Sequence, residues 1–344
     1  MKYKIYTTSK RAWQGMVNSI KKAKKYIYIE MYILDNEIGI YNFIDLLLER
    51  ARQGVEVVLV LDAYGSSSFR NFNTKRLKEK GIEVLFFSKW LRRTHRKILI
   101  IDDRIAFLGG VNFHKQSIDW IDLQVKIDNK SLVKNVLRSF SYTYQMSGGT
   151  DKRIIRKRKH SVFSSIKAQF LEHVPGHNIY ALEDYYRERI MKAEKSISIT
   201  TPYFLPPRWL IAILDNAVLR GIRVDIILPR VTDLKLVNRI NHLYVRKMKD
   251  LGINFYAYKK MNHSKILLVD DKEVLIGSQN LDFFSFRVNV ESGVFISDKK
   301  LVADLTKLVS KWRDDSSVFN IDNIRVGLRD RIVLVFIRFF YSIL

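Results

Sequence analysis

His95-Arg96-Lys97-Ile98-Leu99-Ile100-Ile101-Asp102, followed closely by Ala106-Phe107-Leu108-Gly109-Gly110-Val111-Asn112, is the stretch whose reading decides the fold. The first apolar run is a buried strand, and because a strand points residues two apart the same way, His95 and Lys97 share a face. Asp102-Asp103-Arg104 interrupts the run with turn chemistry, and the second run ends on a glycine pair. The unit is a hairpin carrying a histidine and a lysine side by side. It occurs twice: His263-Ser264-Lys265-Ile266-Leu267-Leu268-Val269-Asp270 repeats the spacing, and Gly277-Ser278-Gln279-Asn280 repeats the Gly-x-x-Asn tail. The step from His to Asn is 17 residues in both copies.

The repeat reaches outward from the motif. Ile20, Lys22, Ala23, Lys25, Ile27 and Ile29 answer Ile190, Lys192, Ala193, Lys195, Ile197 and Ile199 at an offset of 170. Gly54 answers Gly221 at 167, Gly81 answers Gly252 at 171, and the two His motifs differ by 168, so only short insertions separate the copies. Within each half, amphipathic helices that end before a loop glycine (43–52 and 210–220) alternate with short β-branched strands (26–29, 55–61, 197–200 and 224–228). Alternation of this kind predicts an α/β sandwich in each half. Residues 1–150 form the first domain in this reading, 151–177 a basic linker in which six of the eight residues 152–159 are Lys or Arg, 178–320 the second domain, and 321–344 a C-terminal helix.

Sixty Lys and Arg against 35 Asp and Glu leave a net charge of +25, which points to a polyanionic partner, either nucleic acid or an anionic membrane surface. The absence of cysteine excludes disulfides and thiolate metal sites. No run reaches the ~20 apolar residues of a membrane-spanning helix, and the N-terminus lacks the apolar core of a signal peptide, so the chain reads as facing the cytosol. Residues 331–344 are apolar except for a stripe of Arg331, Arg338 and Ser342, the pattern of a helix lying in a bilayer interface, the alternative being a C-terminal helix docked on the protein's own core.

The duplicated residues suit phosphodiester chemistry. One histidine attacks phosphorus while the other protonates the departing oxygen, two lysines neutralise the non-bridging oxygens, and two asparagines donate hydrogen bonds to them. A single site follows if a pseudo-twofold axis brings His95 and His263 together. Asp102 and Asp270 follow the lysines by five residues, so strand alternation turns them away from the His-Lys face, toward a role in the turn. His114, His160, His173, His177 and His242 have no repeated partner and read as surface or structural residues.

These motifs closely resemble those of the phospholipase D superfamily, most of all its cardiolipin synthase branch, in a short form without N-terminal membrane helices. The resemblance spans nearly the whole chain. It implies two repeated α/β domains with one shared site, a phosphohistidine intermediate, and neither metal nor other cofactor. His95 becomes the nucleophile and His263 the acid and base. Lys97, Lys265, Asn112 and Asn280 become the phosphate holders, and Asp102 and Asp270 count as members of the catalytic motif. Asp122 and Glu291 resemble the acids that orient the histidines. The activity implied is phosphatidyl transfer between phospholipids, forming cardiolipin from phosphatidylglycerol. Its partners are anionic lipid and a membrane surface rather than nucleic acid, and its place is the cytoplasmic face of the cell membrane. The alternative is hydrolysis of phospholipid or nucleic acid phosphodiesters by water.

Overall fold

The computed structural model describes residues 2–35, 41–89, 91–156 and 167–320, together with 324, 326–328, 330 and 335. The first half runs β1 (Lys2–Thr8), α1 (Ser9–Ile20), β2 (Tyr26–Met31), α2 (Phe43–Arg52), β3 (Glu56–Asp62), α3 (Ser67–Lys78), β4 (Glu83–Phe87), β5 (Lys97–Ile101), β6 (Ile105–Gly109), β7 (Ile121–Asp128) and α4 (Lys130–Met146). The second runs β8 (Ala168–Val174), β9 (Ile179–Tyr180), α5 (Ala181–Lys192), β10 (Ser196–Thr200), α6 (Arg208–Leu219), β11 (Arg223–Pro229), α7 (Lys235–Lys247), β12 (Asn254–Tyr258), β13 (Ile266–Val269), β14 (Glu273–Gly277), α8 (Phe283–Arg287), β15 (Glu291–Ile296), α9 (Lys299–Asp314) and β16 (Ser316–Val318).

Each half builds one sheet, and the two sheets share a strand order. The first is β1-β7-β6-β5-β2-β3-β4, and the second contains β8-β15-β14-β13-β10-β11-β12 in the same sequence, with β9 and β16 added at its edges. Strands β2, β3 and β4 are parallel, as are β10, β11 and β12, whereas the motif hairpins β5-β6 and β13-β14 are antiparallel.

Burial on both faces explains the unbroken apolar strands. Ile27, Ile29, Leu99 and Ile101 pack outward with Trp13, Leu47 and Phe69 beneath α1 to α3, while Tyr26, Tyr28, Ile98 and Ile100 face inward. The inward cluster continues through Phe140 of α4 and Leu305 of α9 to Ile266, Leu268 and Ile276 of the second sheet. The halves thus close on one common core, and α5 to α7 cover the far face of the second sheet.

The first half holds a buried ion pair. Arg96 Nε donates to Glu30 Oε1 at 2.9 Å, its Nη2 is 2.8 Å from Oε2, and neither side chain is exposed. Ser139 and Thr143 of α4 accept from the same guanidinium. Removing one partner strands a buried charge, so Arg96→Ala should lose about 3–5 kcal/mol in urea unfolding. Arg96→Met with Glu30→Gln should lose much less, and a loss below ~1 kcal/mol for Arg96→Ala contradicts this account.

The segment expected to be a linker is corrected in part. Residues 168–174 are strand β8, paired antiparallel with β15, because Ala168, Phe170, Leu171 and Val174 have an apolar sheet face to fill. The second domain therefore begins about ten residues before the expected 178. The expected interfacial helix at 331–344 lies outside the described residues except Val335, as do the basic residues 157–159. Just ahead of it, Ile324 is buried against the second domain and Asp330 binds Arg239 of α7 at 2.6 Å. Among the described residues no helix is long and apolar enough to cross a membrane.

Candidate active site

His95 and His263 stand two residues before Lys97 and Lys265, where the chain enters the hairpins, and each is tied by its backbone to the other half. His95 N donates to Val290 O at 2.9 Å, and Val290 N to Arg93 O at 2.8 Å. In the mirrored arrangement His263 N donates to Ile121 O at 2.7 Å, and Ile121 N to Met261 O at 3.0 Å. These bridges bring the residue after each acceptor beneath the opposite imidazole. Glu291 of the second half lies 3.0 and 3.2 Å from His95 Nδ1, and Asp122 of the first half lies 2.8 Å from His263 Nδ1. A carboxylate can only accept here, so each Nδ1 carries the proton and each Nε2 is left for chemistry.

All six titratable groups are nearly sealed. His95 is 8% exposed, His263 4%, Lys97, Lys265 and Asp122 1% each, and Glu291 not at all. Lys97 Nζ donates to His95 O at 2.5 Å, and Lys265 Nζ likewise donates to His263 O. Burial brings Lys97 down to about 7, Glu291 opposing and Lys265 adding to the fall; it brings Lys265 down to about 8 against Asp122 and Glu291. Burial likewise lowers His95 to about 4 despite Glu291, with Lys97 and Lys265 both contributing. His263 is lowered by burial and by Lys265 and Lys97, against Asp122. Burial pushes Glu291 up, yet His95 and Lys97 hold it at about 2. Lysines of both halves act on both histidines, as one shared centre requires.

The two acids are supported differently. Ser278 and Ser285 donate to Glu291, the latter at 3.0 Å. At the position matching Ser278 stands Gly110, where a Cβ would lie 2.4 Å from Asp122 Oδ1. The shorter acid holds its carboxylate close to the backbone and needs a glycine there, whereas the longer one leaves room for a serine.

Asn112 and Asn280 are buried at the ends of the motifs. Asn112 Oδ1 accepts from Ile33 N at 3.3 Å and its carbonyl from Trp13 Nε1 at 2.8 Å; Asn280 Oδ1 has no hydrogen-bond partner. Asp102 and Asp270, counted with the catalytic motif, sit at the far ends of β5 and β13, about 16 Å along the strand from the lysines. Both adopt left-handed φ, 52° and 54°, and their carboxylates accept from the backbone N–H groups of residues 24–26 and 194–196. They lock the turn to the start of β2 or β10, and this corrects their catalytic assignment in favour of the turn role. Of the unrepeated histidines, His173 is buried with Nε2 against Phe286 O at 3.1 Å and His114 pairs with Asp35 at 2.8 Å, while His160 lies outside the described residues.

Aromatic rings that the motif does not announce complete the walls. Tyr32 meets His95 edge-on at 4.8 Å and lies 5.1 Å from Lys97 Nζ; Tyr203 meets His263 at 6.3 Å and Trp120 tilts over it at 5.3 Å. Tyr32 and Tyr203 are 171 apart, so the repeat offset marks them as equivalents. Among the described residues no three His, Cys, Asp or Glu side chains are grouped to hold a metal ion.

The family described as "Cardiolipin synthase, PLD-like domain" matches the chain twice, over residues 16–144 and 186–312. The chain belongs to this family. The phospholipase D-like repeat accounts for the duplicated sheet, the pseudo-twofold relation and the crossed centre. The probable cardiolipin synthase YwiE of Bacillus subtilis is 26% identical over 99% of this chain and 72% of its own length. A cardiolipin synthase of Clostridium perfringens is 31% identical over 86% of this chain and 67% of its own. Among solved structures, a phosphatidylserine synthase of Haemophilus influenzae superposes with a TM-score of 0.79 at 15% identity, covering 98% of this chain and 93% of that one, which establishes the phospholipase D-like fold.

Proposed function

We propose that this protein is a phosphatidyltransferase that forms cardiolipin from phosphatidylglycerol. The observation that carries the reading is the crossed centre: two buried imidazoles, each with Nδ1 held by an acid of the other half, beside two buried lysines. His95 Nε2 attacks the phosphorus of one phosphatidylglycerol, the bond from phosphorus to the glycerol headgroup oxygen breaks, and His263, entering the step as the imidazolium with Nδ1 held by Asp122, gives that oxygen the proton of its Nε2. The neutral His263 then takes the proton from a headgroup hydroxyl of a second phosphatidylglycerol, whose oxygen attacks phosphorus as the P–N bond breaks. Lys97 and Lys265 neutralise the phosphoryl oxygens, and the amides of Asn112 and Asn280 donate to them. The cardiolipin synthase names of the similar proteins support the same acceptor.

The rim of the site favours lipid over nucleic acid. Tyr64, Val231, Leu234, Leu236 and Phe284 are 51% to 69% exposed. Tyr64 follows β3 and lies under Arg93, two residues before His95, with Arg93 Cζ 4.9 Å from the ring. Val231, Leu234 and Leu236 surround Asp233, which accepts from Tyr203 at the His263 wall, and Phe284 adjoins Ser285, the donor to Glu291. Apolar side chains ringing the mouth of a site with phosphate-binding lysines suit entry into an anionic leaflet. The net charge of +25 suits peripheral binding at the cytoplasmic face.

Purified protein mixed with phosphatidylglycerol vesicles should yield cardiolipin and glycerol in equal amounts by mass spectrometry. Phosphatidic acid without cardiolipin would instead establish hydrolysis by water. Val231→Asp with Leu236→Asp should lower turnover on vesicles at least tenfold more than on a dispersed short-chain phosphatidylglycerol. Equal effects on the two substrates count against the docking rim.

The lysines and His263 set the pH response. Both lysines must be protonated to receive phosphate and His263 to release the headgroup, so kcat/KM should fall as pH rises, first as His263, lowered by burial and by both lysines, loses its proton, and then through about 7 and 8, where the free protein loses those of Lys97 and Lys265. A bound phosphate raises both lysines, and the alkaline limb of kcat should lie at higher pH. His95, lowered to about 4, is already unprotonated and contributes no acid limb above that pH. A kcat/KM that stays flat to pH 9 is incompatible with this assignment.

A further inference from the structure

A second cationic cavity lies away from the histidines, at the edge of the first sheet. It has a volume of about 600 Å³, opens to solvent, and is bordered by α1, β1, β7 and the turn between β5 and β6. Arg11, Gln14 and Asn18 form one polar stripe along α1, at helical spacing, and with Lys22 of the turn after the helix they line the space together with Lys4 and Lys126. Tyr6 makes the floor: a Cβ at Gly15 would come within 2.3 Å of its ring.

The charge in this cavity is unbalanced. Lys4 and Lys126 are direct cross-strand partners of the β1-β7 pair, an arrangement that costs stability because like charges face each other. Lys126 Nζ is anchored on Ser19 Oγ at 2.9 Å, and burial lowers its pKa, with Lys22 and Lys4 adding to the fall and Asp128, which lies outside the lining, opposing it. Helix α1 contains no acid, and the one acid lining the cavity, Asp102, is spent on backbone N–H groups.

The other half of the molecule serves as an internal control. At the offset of 170, Gly15, Asn18 and Ser19 correspond to Tyr185, Glu188 and Arg189, and by the match of Asp122 with Glu291, Lys126 corresponds to Phe295. There Tyr185 and Phe295 pack at 5.3 Å and Arg189 lies against both rings, paired with Glu273 at 3.4 Å. The same place in the repeat is therefore filled with rings and neutralised, whereas in the first half it is hollow and lined by four cations.

We propose that this cavity binds a phosphate-bearing anion of headgroup size, held by Arg11, Lys4, Lys22 and Lys126 as a site separate from the catalytic one. The proposal stands whether or not the transfer reaction is confirmed, because its test reads occupancy rather than turnover. The full chain is acetylated with limiting reagent, and each lysine is quantified by mass spectrometry in inorganic phosphate, in phosphatidylglycerol vesicles and in phosphatidylcholine vesicles. Lys4, Lys22 and Lys126 should react at least fivefold more slowly with the anion, relative to exposed Lys78 and Lys80. Protection by phosphatidylglycerol alone assigns a lipid headgroup as the source, and protection by phosphate alone assigns a soluble one. Arg11→Gln with Lys22→Gln, at exposed positions, should abolish protection of Lys4 and Lys126. No protection, equal slowing of every exposed lysine, equal protection by phosphatidylcholine, or protection unaffected by the double substitution would overturn the site.

Discussion

His95→Ala should abolish turnover and His263→Ala should cripple it, because the nucleophile and the proton carrier belong to one centre and cannot stand in for each other. With His95→Ala no acid-labile phosphoenzyme should form from radiolabelled phosphatidylglycerol. With His263→Ala the loss should be about 10²- to 10⁴-fold, the usual span for a positioned acid and base, with phosphoenzyme formation and breakdown both slowed. Substantial steady-state activity in either variant would show that the two motifs work independently, and the shared centre would fall.

The second large effect concerns the acids, which touch the histidines and act through them. Glu291→Gln and Asp122→Asn keep the shape but replace a pure acceptor with a group that can also present N–H to Nδ1. The imidazole can then settle in the wrong tautomer, with Nε2 protonated. We expect kcat to fall about 10²- to 10⁴-fold in each. The two should differ in where they act. Glu291→Gln should slow formation of the phosphoenzyme, whereas Asp122→Asn should slow both formation and breakdown, since His263 serves in both steps. A purely structural role would instead lower the melting temperature and leave the ratio of the two steps as in the parent chain.

The duplicated hairpin was legible because a local pattern repeated at nearly constant offset carries its own control. The turn role of Asp102 and Asp270 was legible too, from the parity of strand positions. Which acid serves which histidine was not, since Asp122 and Glu291 are far from their partners in the chain and nothing local records that each reaches across to the other half. Strand β8 was hidden by its neighbourhood: Glu172 and His173 break its apolar run, and the basic residues before it read as linker. Strand β1 was missed because Lys2 and Lys4 alternate with its inward residues and give the segment a polar look. Tyr32 and Tyr203 lie outside the repeated motif, and only the offset of 171 pairs them.

The unlike acids, Asp122 beside Gly110 and Glu291 beside Ser278, bear on how such a molecule can be taken apart. A symmetrical pair made from two copies of the first half would offer His95 an aspartate where it now meets a glutamate, a reach shorter by about 1.5 Å. Two copies of the second half would press a glutamate against His263, in a space shaped for the shorter acid. Neither half is an interchangeable module, then; each has become the obligate complement of the other. Any recombination of this chain with a relative must carry a histidine and its opposing acid together, although 196 residues separate one such pair and 141 the other.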